Sequence, residues 1–205
     1  MTLALQPPGD DLEDRSPDPG AGAAYGPTQE RILAAALRLF GRRGVKRLGM
    51  QEVSEAAGVS RGTLYRHFPS KDHLLAAVAD FDERRFTNGL AAALERGGDP
   101  LDRIEALVAF CFDYIRTHPA RALFESEPEF VLGYLLAHLP KLRAAVLEQL
   151  GDAFDSVPAV ASGCVRREDL VDLIVRLFTS SFIIPESDDR TLVQSVMGVL
   201  RPPAC

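Results

Sequence analysis

This chain of 205 residues has little to build a β-sheet from. No stretch alternates apolar and polar residues with period two for long, and β-branched runs are scarce, so sheet architectures are set aside. Cysteine is sparse. Cys111, Cys164 and Cys205 show neither metal-ligand spacing nor a paired framework, and they fit a reducing cytoplasm. No apolar run looks long enough to span a bilayer, and no basic segment precedes an apolar one at the N-terminus, so the expectation is a cytoplasmic protein without a membrane span or export signal. Catalytic signatures are also missing: there is no GxSxG, no P-loop and no HExxH. His118 and His138 lack neighbours at ligand spacing, and Gly97-Gly98-Asp99-Pro100 reads as a helix break rather than a phosphate cradle. Glu125, Glu127 and Glu129 cluster around Pro128, but a hard metal needs several oxygens in one shell, and alternate carboxylates at a helix break read as a solvated corner. No catalytic residue, metal or cofactor is expected, and the chain does not read as an enzyme.

What is present is helical periodicity. Residues 1–26, rich in Pro, Gly and Asp, read as a disordered acidic tail whose one base is Arg15. Helices are then expected at about 28–43, 50–57, 61–67 and 71–96. Past Gly97-Gly98, prolines punctuate the pattern. Pro100, Pro119 and Pro128 each open a helix, Pro140 breaks or kinks the third of these, and 155–166 is a loop. Two final helices span about 167–183 and 188–200. The fold class is therefore all-α, with about nine helices and no internal repeat.

Charge is unevenly distributed. The whole chain carries −6. Between Thr28 and Lys71 nine bases face three acids, a local +6 that leaves −12 for the remainder. A basic head on an acidic body suits a protein that orients itself on a polyanion without coating it.

The head holds the most informative segment. Gly58 and Val59 supply a turn after an apolar helix, and Ser60 is a good N-cap for the next one. Within Arg61–Phe68, Leu64 and Phe68 lie four apart and face a core, which leaves Arg61, Thr63, Tyr65, Arg66 and His67 as outward donors. Pro69 stops the helix, Ser70 caps another, and Lys71 stands in its first turn. A short donor-lined helix followed at once by a helix N-terminus suits docking in a major groove with a phosphate clamped beside it. Arg61, at the N-terminal end of that helix, is placed to read guanine. Gly62 lets backbone come close to another molecule.

The run Ala57-Gly58-Val59-Ser60-Arg61-Gly62-Thr63-Leu64-Tyr65-Arg66-His67-Phe68-Pro69-Ser70-Lys71, followed by His73-Leu74-Leu75, resembles the helix-turn-helix of the TetR family of bacterial repressors. Thr28 to Gly44, with Ile32, Leu33, Ala36, Leu37 and Phe40 as its core face, resembles the family's first helix. The resemblance covers about residues 28–80. It implies base contacts near Gly62, a groove-side position for Gln51, which can read adenine, and phosphate contact by His67 and Lys71. One departure stands out: Leu48 and Gly49 occupy positions where the family often has threonines, and Lys46 or Arg47 is expected to take over a phosphate contact.

The resemblance further implies a head at 27–72 for double-stranded DNA and a body at 73–205 for effector binding and dimerisation. A ligand pocket is expected around the aromatic residues Phe110, Tyr114, Phe124, Phe130 and Tyr134, since such pockets are apolar with few polar groups. The family pairs its last two long helices with those of a second copy, which nominates Leu173, Leu177, Phe178, Val193, Val196 and Met197 for a homodimer interface on an inverted-repeat operator. The implied function is a transcriptional regulator, a repressor released by a small, mainly apolar effector. Two rivals stand beside it: a DNA-binding regulator with no effector, which a filled core would favour, and an enzyme in the C-terminal half, for which only the acidic cluster speaks.

Overall fold

Apolar residues at helical spacing, with glycine, proline or a capping oxygen at most boundaries, fold the chain into helices alone among the described residues. The structure is a computed structural model that describes residues 25–184 and 189–201; the side chains of Ala120, Phe124, Glu125, Phe182, Ile183 and Asp189 lie outside that description. The segments are α1 (Pro27–Arg43), α2 (Met50–Ala56), α3 (Arg61–His67), α4 (Lys71–Leu94), α5 (Pro100–Thr117), a 3-10 turn at Pro119–Ala122, α6 (Leu123–Ser126), α7 (Pro128–Phe154), α8 (Pro158–Ala161), α9 (Arg167–Ile183) and α10 (Asp189–Leu200). All but one of these segments were expected from the sequence. The addition is α8, four residues inside the stretch read as a loop.

The boundaries follow local chemistry. Gly44 ends α1 at φ +81° and Gly58 turns the chain between α2 and α3 at φ +62°, both in the region that favours glycine. Ser60 accepts the Thr63 amide at 3.1 Å and Ser70 the His73 amide at 3.2 Å, so α3 and α4 carry the expected N-caps. Pro140 does not break α7, which is continuous around it. Proline removes the bond to the residue 136 carbonyl, but Leu136 and Pro140 share the exposed side, where water can satisfy that oxygen.

Two apolar cores result. One joins α1–α4 through Ile32, Leu33, Val53, Leu64, Phe68 and Leu74, and is completed from the body by Leu123, Val131 and Leu135. The other lies in the body, where Ile104, Leu107, Cys111, Phe112 and Ile115 of α5 meet Leu150 and Phe154 of α7 and Val171 of α9. Burial pushes the Cys111 thiol up to about 12 and leaves it a small hydrophobe. α7 corrects one expectation. It is long and apolar enough, by length and composition, to cross a membrane, with a mean hydropathy of 1.4 over its most apolar 18 residues. Only 17% of that window is buried within the chain; the helix buries Val146, Leu150 and Phe154 and pairs Lys141 with Glu83 and Arg143 with Asp172.

Candidate nucleic-acid interface and internal cavity

The α2–turn–α3 unit sorts its side chains as the sequence predicts. Leu64 and Phe68 are buried beneath it, while Arg61, Gly62, Tyr65 and Arg66 are exposed and Thr63, His67 and Lys71 are half-buried. Gln51 is exposed and accepts a hydrogen bond from the Arg61 guanidinium, while its own amide donates to Glu55 at 2.9 Å. The residues nominated for base reading therefore touch each other. Lys71 lies against the turn after α1, where its ammonium donates to the Lys46 carbonyl at 3.3 Å, so Lys46, Arg47 and Lys71 form one basic edge beside α3. A Cβ on Gly62 would meet nothing closer than the Ser60 hydroxyl at 3.9 Å. No intramolecular packing demands glycine there. Leu48 is buried in the head's core, so it does not stand in for a phosphate-binding hydroxyl.

The head is seated tightly on the body. A Cβ on Gly41 would lie 2.1 Å from the Pro119 carbonyl oxygen, so α1 and the 3-10 turn touch backbone to backbone. Glu127 reaches over Gly44, and its carboxylate accepts the Lys46 amide at 3.4 Å. Tyr25, at the end of the acidic tail, donates to Asp80 of α4 at 2.6 Å and packs edge-on against Phe81. Burial, then the Asp80 carboxylate, pushes its phenol up to about 12. The stretch 1–24 lies outside the described residues.

An internal cavity of about 250 Å³ opens where head and body meet. Leu37 and Phe40 of α1 and Leu75 and Val78 of α4 form one side, and Phe86, Tyr114, Val131, Tyr134, Leu139 and Phe178 the other. Of the five aromatics nominated from sequence, Tyr114, Phe130 and Tyr134 line it. Phe110 does not. Its ring packs on Phe86 and Tyr114 and occupies the space beside Gly89. The Phe124 side chain lies outside the described residues.

One polar cluster interrupts this apolar wall. Asp82 of α4, only 8% exposed, is the one buried charged residue among the described residues. Its carboxylate accepts the Tyr114 hydroxyl at 2.7 Å and His118 Nε2 at 2.9 Å. Burial alone would raise the Asp82 pKa. The hydrogen bond and charge of His118, the Tyr114 hydroxyl and the Arg85 guanidinium outweigh it and hold the carboxyl below its ordinary value. Tyr114 and Tyr134 are pushed upward, first by burial and then by the Asp82 charge. Four of the other polar groups on the wall are already engaged. Thr87 and Thr179 donate to carbonyls of their own helices, His138 donates from Nδ1 to the Tyr134 carbonyl, and Glu83 pairs with Lys141. Sequence reading passed over Asp82 and set His118 aside for want of neighbours at ligand spacing, because the two stand 36 residues apart on different elements and no local spacing joins them.

The nominated dimer residues divide. Leu173 is 63% exposed, whereas Phe178 and Met197 are buried within the chain's own core, and Phe178 also lines the cavity. Leu177, Val193 and Val196 are half-buried against that core. The expectation for Phe178 and Met197 is corrected on this point, because the inward helical face takes them.

A family model described as bacterial regulatory proteins, tetR family, matches residues 32–78. An uncharacterised HTH-type transcriptional regulator of Mycobacterium tuberculosis is 30% identical over 182 residues, 85% of this chain and 86% of that protein. Among solved structures, AibR in complex with isovaleryl coenzyme A and operator DNA superposes with a TM-score of 0.61 at 20% identity, covering 86% of this chain and all of that one. The fatty acid degradation regulator FadR of Bacillus halodurans gives 0.56 at 20% identity, covering 87% of this chain and 96% of that one. At these identities the structural likeness is one of fold.

Proposed function

The chain belongs to the TetR family of bacterial regulatory proteins and is a DNA-binding transcriptional regulator; from that premise we propose that it is a dimeric repressor released from an inverted-repeat operator by a small, mainly apolar ligand. The observation that carries the reading is the position of the cavity. Its wall includes Leu37, Phe40, Leu75 and Val78; Leu37, Phe40 and Val78 belong to the core that supports α3, and Leu75 packs against it. A ligand seated there touches the reading head and the body at once. If it prefers one arrangement of the two, it shifts the protein towards that arrangement and changes operator affinity by the same free energy. The cavity also counts against the regulator without an effector, for which a filled core is expected. AibR, whose complex holds both a small molecule and operator DNA, offers a precedent on the same fold.

At the operator, Arg61 and Gln51 read base edges, and Gly62 allows the α3 backbone to approach them. Thr63, Tyr65, Arg66 and His67 supply further contacts, and Lys71 with the amides after Ser70 holds a phosphate. The test is selection of bound duplexes from a random pool, followed by titration of two variants. Arg61→Ala is expected to relax preference at one operator position by about 1–3 kcal/mol, whereas Lys71→Ala weakens every sequence alike and lowers the salt slope by about one. Equal affinity of the wild type for random duplex and the best selected site would overturn sequence-specific regulation. Equal, sequence-independent losses in both variants would make Arg61 another phosphate contact.

A second copy completes the reading, because one head per chain meets one half of an inverted repeat. Leu173 projects from α9 and is 63% exposed. Leu173→Glu is expected to raise the dimer dissociation constant by at least about tenfold, since an unpaired charge in an apolar interface is costly. Sedimentation checks this; an unchanged constant would remove α9 from the interface.

A further inference from the structure

The cavity wall carries one buried charged pole among the described residues, and its chemistry restricts what can sit there. Asp82 is ionised and buried against the cavity wall, with His118 and Tyr114 as its donors. A carboxylate offers about four acceptor positions, and these two donors leave room for another. The ring of His118 on one side and the Arg85 charge nearby already offset the negative charge. The pole therefore lacks a hydrogen-bond donor rather than a second cation. The Thr87, Thr179 and His138 donors are turned to backbone carbonyls, so they do not compete for it. Most of the wall around the pole is aliphatic or aromatic, with Leu75, Val78, Phe86, Leu90, Leu139 and Phe178, and Tyr134 and Gln149 bring further polar groups to it.

We propose that the ligand of this cavity is an apolar alcohol, an uncharged molecule whose hydroxyl donates to the Asp82 carboxylate while its hydrocarbon part fills the space between α1, α4 and α7. The hydroxyl becomes the missing donor and exposes no new charge to the apolar wall. A carboxylate at the same place meets a buried like charge and is rejected. An ammonium adds a cation where the Arg85 guanidinium already stands. This inference rests on the ligand-responsive reading above and narrows its ligand to one chemical class.

The test uses the full chain and three probes that differ only in headgroup: decan-1-ol, decanoate and decylamine. The chain has no tryptophan, so binding is read by calorimetry and by shift of the melting temperature. Decan-1-ol is expected to bind at least about tenfold more tightly than decanoate, because burying a second negative charge beside an ionised carboxylate costs more than one decade of affinity. Asp82→Asn removes the charge while keeping the shape, and the preference is expected to shrink to within about threefold. The wild-type ratio decides the matter even where the variant folds poorly. Decanoate binding as well as the alcohol, decylamine binding best, or no binding by any of the three would each overturn the proposal. Operator affinity is titrated separately with each probe. An alcohol that binds with the expected preference yet leaves operator affinity unchanged upholds the ligand class and overturns the release mechanism. Release of the operator by decanoate alone does the reverse.

Discussion

Gly41→Val is expected to detach the reading head from its seat and to lose operator binding together with stability. α1 lies so close to the Pro119–Ala122 turn that a Cβ at Gly41 would stand 2.1 Å from the Pro119 carbonyl oxygen and 2.5 Å from its carbon. These are backbone atoms flanked by α5 and α6, and no rotamer change can move them. Overpacking a core typically costs about 1–3 kcal/mol when side chains can yield; with backbone on both sides the cost is expected to exceed about 3 kcal/mol. The comparison is Gly89→Ala, whose Cβ meets the edge of the Phe110 ring at 2.8 Å. A ring can turn aside, and alanine gains about 1 kcal/mol of helix propensity over glycine, so that variant is expected near neutral. Denaturant midpoints measure both, and gel shifts follow operator affinity. A Gly41→Val protein with the wild-type midpoint and affinity would show that the seam between α1 and the turn can open at little cost, and that coupling runs through α4 alone.

Much of the head was legible in the sequence because its determinants are local. The core face Ile32, Leu33, Ala36, Leu37 and Phe40 follows from helical spacing, and all five are buried. Gly44 and Gly58 were read as turns and adopt positive φ, and Ser60 and Ser70 cap as their positions suggest. The apolar face of α5 was equally readable. What escaped depends on contacts between distant segments. Tyr114 and Phe110 lie four apart on one helix, yet the first lines the cavity and the second fills the notch at Gly89. Only the packing of α4 on α5 distinguishes them. Phe178 and Leu173 share α9 and a hydrophobic character, and which one points outward depends on how α9 lies between α5 and α7. The Asp82–His118 pair gave no signal at all, because neither residue stands in a motif and the fold alone brings them together. The family resemblance led to the cavity's region, and the geometry supplied its polar pole.

That pole carries the other large expected effect. His118→Ala is expected to destabilise the protein by about 3–5 kcal/mol, the cost of leaving a buried charge without its partner. The His118 and Asp82 side chains are 8% and 11% exposed, so water cannot substitute freely for the lost imidazole. The pair itself need not be stabilising. Replacing both members by leucine, together with Tyr114→Phe so that no hydroxyl is stranded, removes the desolvation of the polar groups and is expected to be neutral or stabilising by up to about 4 kcal/mol, provided the volume is filled. The sign of the pH dependence follows from the shift. With its folded pKa held below the ordinary value, Asp82 contributes stability that is fully present above the unfolded pKa of about 3.9 and is lost as pH falls through the folded one. In His118→Ala the largest favourable partner is gone and burial remains, so the carboxyl pKa moves up. The deficit of the variant is therefore greatest near neutral pH and shrinks as the pH falls through the variant's raised carboxyl pKa, where protonation removes the unpaired charge. Urea titrations of wild type and variant across that acid range measure it directly. A deficit that stays constant down to about pH 3 would mean that the variant loses packing around the imidazole rather than the charge pair. In that case Asp82 would be no more than a satisfied buried acid.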